Sequence, residues 1–336
     1  MTKDAFGKLP DGQEVSRITI TGHGLTASVV TLGASLQDLR LDGVAHPLVL
    51  GFPTLPPYLD EGRYFGAIVG RCANRIARGE AEIDGRPLAL DRNEAGRTTL
   101  HGGSDGTGVR NWTVADHGPD FVALSDYLPD GHMGFPGAML VRVRYQILPG
   151  PALRIEIVAT SSETTICNFA QHSYFNLDGK ADISDHRLTI PAETYLPVDE
   201  ALIPLGSPAP VAGTHLDFRQ PVQLAERLGG PLIDHNLCID TTRHHLPRPA
   251  AVLQAGDVRM TIDSTEPGLQ VYAAAHMQGG AKGIGGAPYG RHAGIAMESQ
   301  LWPDAVHHGD YPSTLLTSDQ VYRQTTVLGF TRTGSS

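Results

Sequence analysis

The segment Val141-Arg142-Val143-Arg144-Tyr145-Gln146-Ile147 alternates apolar and polar residues almost without error. Leu153-Arg154-Ile155-Glu156-Ile157 repeats the pattern, and Leu148-Pro149-Gly150-Pro151-Ala152 between them reads as a hairpin turn. A period of two places alternate side chains on opposite faces of a strand, so each run buries one face and wets the other. Further strand candidates are Val15–Ile20, Thr26–Leu32, Ser35–Leu41, Phe121–Ser125, Thr164–Phe169, Val258–Asp263, Leu269–Ala275 and Gln320–Phe330. Asp42-Gly43, Asp84-Gly85, Asp130-Gly131, Asp178-Gly179 and Pro267-Gly268 supply turn signals at short intervals. The 39 glycines and 24 prolines fit a chain that turns often. Helical stretches are scarce: Pro221–Leu228 is expected to make two turns and Leu55–Glu61 one. No strand–helix–strand rhythm is visible, which argues against doubly wound and α/β-barrel folds, and no repeat of fixed period is visible, which weakens a propeller reading. The expected fold is all-β, a large antiparallel sandwich with very little helix. No shift of composition divides the 336 residues, so one domain over 1–336 is expected, with its core at about 15–330.

Several function classes fall away on charge and composition. A net charge of −10 lacks the clustered cations that nucleic acid requires. No apolar run reaches membrane-spanning length, and no basic amphipathic segment suggests attachment to a lipid surface. The first ten residues carry Lys3, Asp4 and Lys8 and no apolar core of a signal peptide, so the cytoplasm is the expected compartment. Cys72, Cys167 and Cys238 are odd in number and far apart, and are expected as buried thiols. Gly22-x-Gly24-x-x-Ala27 matches a dinucleotide fingerprint, but an alternating strand follows where the fingerprint needs a helix; a hairpin turn accounts for it. His244-His245 and His307-His308 point to opposite faces of any strand, and no metal-ligand spacing accompanies them. No metal or cofactor is expected.

The residues that carry chemistry are histidines and carboxylates. His101-Gly102-Gly103 ends a loop, and two glycines leave room for a ligand to approach the backbone, although these letters alone favour an ordinary turn histidine. Gln171-His172-Ser173-Tyr174-Phe175-Asn176-Leu177 mixes aromatic platforms with hydrogen-bonding groups, as a sugar requires, although His172 also reads as a core histidine at a strand end. Glu298 interrupts the apolar run Ile295-Ala296-Met297, which makes it a candidate general base or one half of a buried ion pair. Asp234-His235-Asn236 precedes another apolar run, and Asp234 is either a turn cap or a ligand for hydroxyl groups. The glycine-rich segment Gly279–Gly290 is expected to be a long flexible loop near the function.

Together these segments resemble the aldose 1-epimerase (galactose mutarotase) family. The resemblance runs through Gly70-Arg71-Cys72-Ala73-Asn74-Arg75-Ile76, Leu100-His101-Gly102-Gly103, His172–Leu177, Leu196-Pro197-Val198-Asp199-Glu200, Asp234-His235-Asn236, Pro267–Tyr272 and Glu298-Ser299-Gln300-Leu301-Trp302-Pro303-Asp304-Ala305, in consistent order from about Val15 to Val327. Their order is more specific than any one of them. The resemblance implies the galactose mutarotase-like supersandwich, with an open cleft for a small-molecule aldose. It implies Glu298 as catalytic base and His172 as catalytic acid, with Asn74, Arg75, His101, Asp234 and Gln270 binding or orienting the sugar. It further implies no cofactor, and a monomer or simple homodimer. Four departures from the family pattern bear on substrate identity: Gln171 before the histidine, Ala273-Ala274-Ala275 after Tyr272, Leu301 and His307. Three other readings follow from the same residues. A sugar phosphate would demand several convergent cations, and only Arg75 and Arg71 lie in the motifs. A binding protein without chemistry would not need both Glu298 and His172. A glycoside hydrolase would use Asp234 and Glu298 as a carboxylate pair.

Overall fold

The computed structural model describes residues 1–333. The last three positions of the expected domain, 334–336, lie outside the described residues. All named strand pairs are antiparallel. Three sheets carry the architecture. The largest has nine strands, in the order Thr113–His117, Phe121–Leu128, Met139–Leu148, Ala152–Ser161, Tyr322–Arg332, Val258–Ser264, Arg248–Ala255, Arg187–Thr189 and Val222–Gln223. A four-stranded meander, Thr2–Lys8, Glu14–Gly22, Leu25–Val30 and Ser35–Leu41, forms the second. The third has six strands: Tyr174–Phe175, Ile295–Gln300, Gly268–Tyr272, Asp234–Cys238, Thr194–Tyr195 and Ala209–Pro210.

The alternating segments behave as their period demands. Met139–Leu148 and Ala152–Ser161 pair residue for residue, so Val141, Val143, Tyr145, Ile155 and Ile157 share one buried face. That face meets Ile18, Ile20, Val29 and Leu36 of the four-stranded sheet and Leu237, Leu269, Val271 and Met297 of the six-stranded one, in one hydrophobic core. Tyr145 is the polar guest in this core, and its hydroxyl donates to the Ala34 carbonyl at 2.8 Å. Gly22 and Gly24 close the Glu14–Gly22/Leu25–Val30 hairpin, as the following strand pattern requires. The three cysteines are free and buried.

Some local expectations are corrected. Pro221–Leu228 is not a two-turn helix. Val222 and Gln223 pair with Leu188 and Arg187 at the edge of the large sheet, and only Ala225–Leu228 turns, as the sole α-helix among the described residues. Leu55–Glu61 reduces to the 3₁₀ turn Pro56–Leu59. Thr164–Phe169 keeps only Thr165–Ile166 as strand, because the amides of Cys167 and Asn168 turn to Thr314 and Arg71. The Leu269–Ala275 run ends at Tyr272; Ala273 bonds back to Ile233, and Ala274 sits at φ +49°. A strand the pattern did not announce, Thr2–Lys8, lies at a sheet edge with mostly exposed side chains. No helix among the described residues is long and apolar enough to cross a membrane.

Candidate active site

The register of the six-stranded sheet assembles one side of the site. Asn236, Gln270 and Glu298 are directly opposite one another on three adjacent strands. Asp234 is opposite Tyr272, and so lies diagonal to Gln270 on the same face. The opposite face, with Leu237, Leu269, Val271 and Met297, enters the hydrophobic core. The sheet therefore sorts its residues: apolar ones to the interior, and carboxylates and amides to the other side. Gln270 Nε2 donates to Asp234 Oδ1 at 2.6 Å, fixing both side chains.

His172 approaches from the link between two short strands. Its Nε2 lies 3.5 Å from Glu298 Oε1. Both side chains are nearly enclosed, at 8% and 3% exposure. Glu298 Oε2 and His172 Nδ1 have no hydrogen-bond partner among the described residues. Aromatic rings surround the pair. His172 is 5.1 Å from Tyr174, 6.3 Å from Tyr64 and 5.3 Å from His101, between ring centres. Tyr174 continues into a cluster with Phe65, Phe52 and Tyr289.

The third wall comes from the Asn74–Arg75 and His101 segments. Arg75 pairs with Leu100 in a two-residue ladder, which sets Asn74 beside His101. The Asn74 amide donates to His101 Nδ1 at 3.2 Å, and the His101 amide donates to the Asn74 carbonyl at 2.9 Å. A neutral His101 therefore carries its proton on Nε2, free to donate. Gly102, which follows it, also has a role in the fold. A Cβ on Gly102, at φ +84°, would stand 2.1 Å from the Gly70 carbonyl oxygen. Only glycine lets these two loops touch.

Burial governs the charges. It pushes the Glu298 carboxyl well above the usual carboxylate range; the nearby Asp234 adds to this, and Arg75 opposes it. Burial also raises Asp234, against Arg75 and the Gln270 bond. It drives the His172 imidazole down to about 4. His101 falls well below its ordinary value, from burial first and then from His172 and Arg75. The proton affinities of Glu298 and His172 thus move toward and past each other. The buried carboxyl therefore holds a proton more tightly than it would in water, and the buried imidazole less tightly, so the neutral forms of both are favoured.

All seven residues singled out in the sequence stand around this cleft or touch those that do. His172 and Glu298 face each other. Asp234 and Gln270 are bonded together. His101 packs on His172, and Asn74 is bonded to His101. Arg75 also carries a tight bond to Glu94. Glu94, Asn236 and Tyr64 were not singled out as site residues. Glu94 sits in a loop whose letters resemble any polar turn. Asn236 belongs to the Asp234-His235-Asn236 motif, but its place opposite Gln270 emerges only from strand register. Tyr64 packs its edge on His101 at 4.8 Å and carries no motif of its own. Arg71 is not a cleft cation: it is buried and donates to Pro136, Gly137 and Thr165. Of the four departures, Gln171 bonds to Gly66 and Ser173, and Leu301 is bonded through its backbone to Asn168. His307 donates to Asp304, whose carboxylate also accepts the Ala77 amide. Ala273 and Ala275 line a cavity of about 360 Å³ with His276, Arg291 and His292. The Gly279–Gly290 loop is tied down rather than free: Tyr289 donates to the Gly51 carbonyl, the Ile284 amide also bonds to it, and the Ala281 amide bonds to Glu61. The histidine doublets each find a carboxylate, His244 with Asp240 and His307 with Asp304, and no group of three or more metal-ligating side chains occurs among the described residues.

The sequence matches the family model described as aldose 1-epimerase over residues 16–329. It is 39% identical to rat galactose mutarotase over 342 residues, covering 98% of each chain. It is 32% identical to the aldose 1-epimerase of Escherichia coli strain K12, covering 90% of this chain and 91% of that one. Among solved structures, an aldose epimerase homologue from C. elegans superposes with a TM-score of 0.88 at 28% identity, covering 95% of this chain and all of the other. The galactose 1-epimerase of Lactobacillus acidophilus superposes with a TM-score of 0.86 at 26% identity, covering 98% of both.

Proposed function

The chain belongs to the aldose 1-epimerase family and is an isomerase, and from that premise we propose that it interconverts the α and β anomers of a free hexose of the galactose and glucose type, with Glu298 as base and His172 as acid. The observation that carries this reading is the buried Glu298–His172 pair at 3.5 Å. Ring opening removes a proton from the anomeric hydroxyl and adds one to the ring oxygen. Both oxygens are bonded to the same carbon, so the groups that serve them must stand within a few ångströms of each other. Moving both protons together avoids a charged intermediate.

Glu298 takes the hydroxyl proton as the C1 carbonyl forms, and His172 gives its proton to the ring oxygen as the C1–O5 bond breaks. The open aldehyde then turns about C1–C2. On reclosure, the C5 hydroxyl attacks the other face of the carbonyl and returns its proton to His172. The carbonyl oxygen takes one from Glu298. The enzyme ends as it began, and no covalent bond to the protein forms. The working state needs a carboxylate and an imidazolium, whereas burial favours the neutral forms of both. A bound sugar offers hydroxyl donors to the unpartnered Glu298 Oε2, which favours the carboxylate. The Nε2–H of His101 and the Arg75 cation are suited to partial negative charge on the reacting oxygens. Asp234 and Gln270, locked together, are suited to the remaining hydroxyls.

Polarimetry on freshly dissolved α-D-galactose and α-D-glucose at neutral pH tests the reading. Faster approach to an unchanged equilibrium rotation is expected. A rate equal to that of buffer with both sugars would refute it.

A further inference from the structure

We propose that Glu94 is a positioning residue for the epimerisation: it fixes the plane of the Arg75 guanidinium at the cleft and sets how much of that cation's charge the reacting groups feel. The proposal rests on the role of Arg75 given above.

Arg75 Nε donates to Glu94 Oε2 at 2.8 Å, and Arg75 Nη2 donates to Glu94 Oε1 at 2.7 Å. Two parallel bonds hold a guanidinium in one plane, where a single bond leaves it free to swing. Glu94 is itself held. Thr98 Oγ1 donates to its Oε2 at 2.7 Å, and the amides of Arg97 and Thr98 bond to its carbonyl. One residue before it, Asn93 clasps Leu100 through both the amide and the carbonyl, at 2.8 and 2.9 Å. Leu100 is the strand partner of Arg75, and His101 follows it. The Asn93–Thr98 loop is therefore a brace that ties Arg75 to the His101 side of the cleft.

The brace does little for the fold as an ion pair. Glu94 is 30% exposed and Arg75 13%, and partly wet pairs contribute modestly to stability. Its consequence lies in the site, because Arg75 acts on Glu298, Asp234 and His101. The charged and titratable groups facing Glu298 are His172, Asp234, Arg75 and the Tyr174 hydroxyl. Of these only Arg75 is a fixed cation, and Glu94 is its counter-charge. Removing that counter-charge both loosens the guanidinium and leaves its charge less balanced toward the two carboxyls.

The test compares Glu94→Gln, Arg75→Met and the double variant by polarimetry across pH, with melting curves for each. Glu94→Gln is expected to keep its melting transition, to lose roughly ten- to a hundred-fold in kcat with a smaller change in KM, and to move the acid limb of the rate profile to lower pH. In the Arg75→Met background the same substitution is expected to change nothing further. An impaired Arg75→Met beside a Glu94→Gln of wild-type rate and pH profile would overturn the proposal alone. So would a Glu94→Gln loss that persists undiminished without Arg75. An Arg75→Met of wild-type kcat would instead overturn the role assigned to Arg75.

Discussion

Replacing Glu298 by Gln separates chemistry from stability at the most enclosed acid of the cleft. The side chain is 3% exposed, and Gln copies its shape. Loss of a general base costs on the order of 10²–10⁴ in rate, or about 3–5.5 kcal/mol on the barrier. The stability terms are smaller and oppose each other. Burial raises the folded-state pKa of Glu298 above its unfolded value, so folding disfavours the carboxylate. That penalty is absent below the unfolded pKa and grows as pH rises above it. Gln has no such penalty, and at neutral pH this favours the variant. Against it, the new amide enters a position where Oε2 had no protein partner, and an unpaired buried donor costs about 1–3 kcal/mol. The net is a melting transition close to that of the wild type at pH 7, and relatively lower at pH 4. The assay is polarimetric kcat beside thermal unfolding at the two pH values. More than a tenth of wild-type kcat would refute Glu298 as base. A collapse of stability at neutral pH would make it a structural residue instead.

Three further outcomes are expected. His172→Gln should lose kcat by a similar factor of about 10²–10⁴, and the Glu298→Gln/His172→Gln double variant should be scarcely slower than either single one, because the pair acts as a unit; multiplied losses in polarimetry would show independent roles. Asp234→Asn should move the acid limb of kcat/KM to lower pH, since it removes the like charge that helps raise Glu298, and a base active only when ionised then stays active further into acid; an unmoved limb would contradict the electrostatic account. Glu266→Gln, far from these residues in role, should destabilise the fold by about 3 kcal/mol, because it breaks a buried pair in which Arg243 makes two bonds to Glu266 Oε1; a lower denaturant midpoint at unchanged slope, with kcat intact, is the measurement.

What the sequence made legible divides along one physical line. Contacts that depend on neighbours in the chain could be read. Met139–Leu148 and Ala152–Ser161 follow from alternation and the turn Pro149-Gly150-Pro151, and their partner register is what the turn imposes. Thr2–Lys8 was hidden because an edge strand with little buried surface carries no apolar period, and its lysines suit an edge that must not recruit another chain. Pro221–Leu228 misled because Leu224 and Leu228, four residues apart, fit a helical face, while Val222 faces Leu188 across a sheet edge. The site depends on the other kind of contact. Asp234, Gln270 and Glu298 converge only because three strands separated in the chain by more than 20 residues each take one register. No local pattern encodes that register, which is why composition left Asp234 as a turn cap and His172 as a core histidine on equal terms. The ordered motifs shared with the aldose 1-epimerases supplied it, because a family pattern stores the outcome of non-local pairing. Glu94 marks where that help stops. It lies between the motifs Asn74–Arg75 and Leu100–Gly103, in a loop the motifs do not cover, and its link to Arg75 spans 19 residues and appears only once the chain is folded. The residues that make a motif work can therefore lie outside it, wherever folding closes a loop onto a motif side chain.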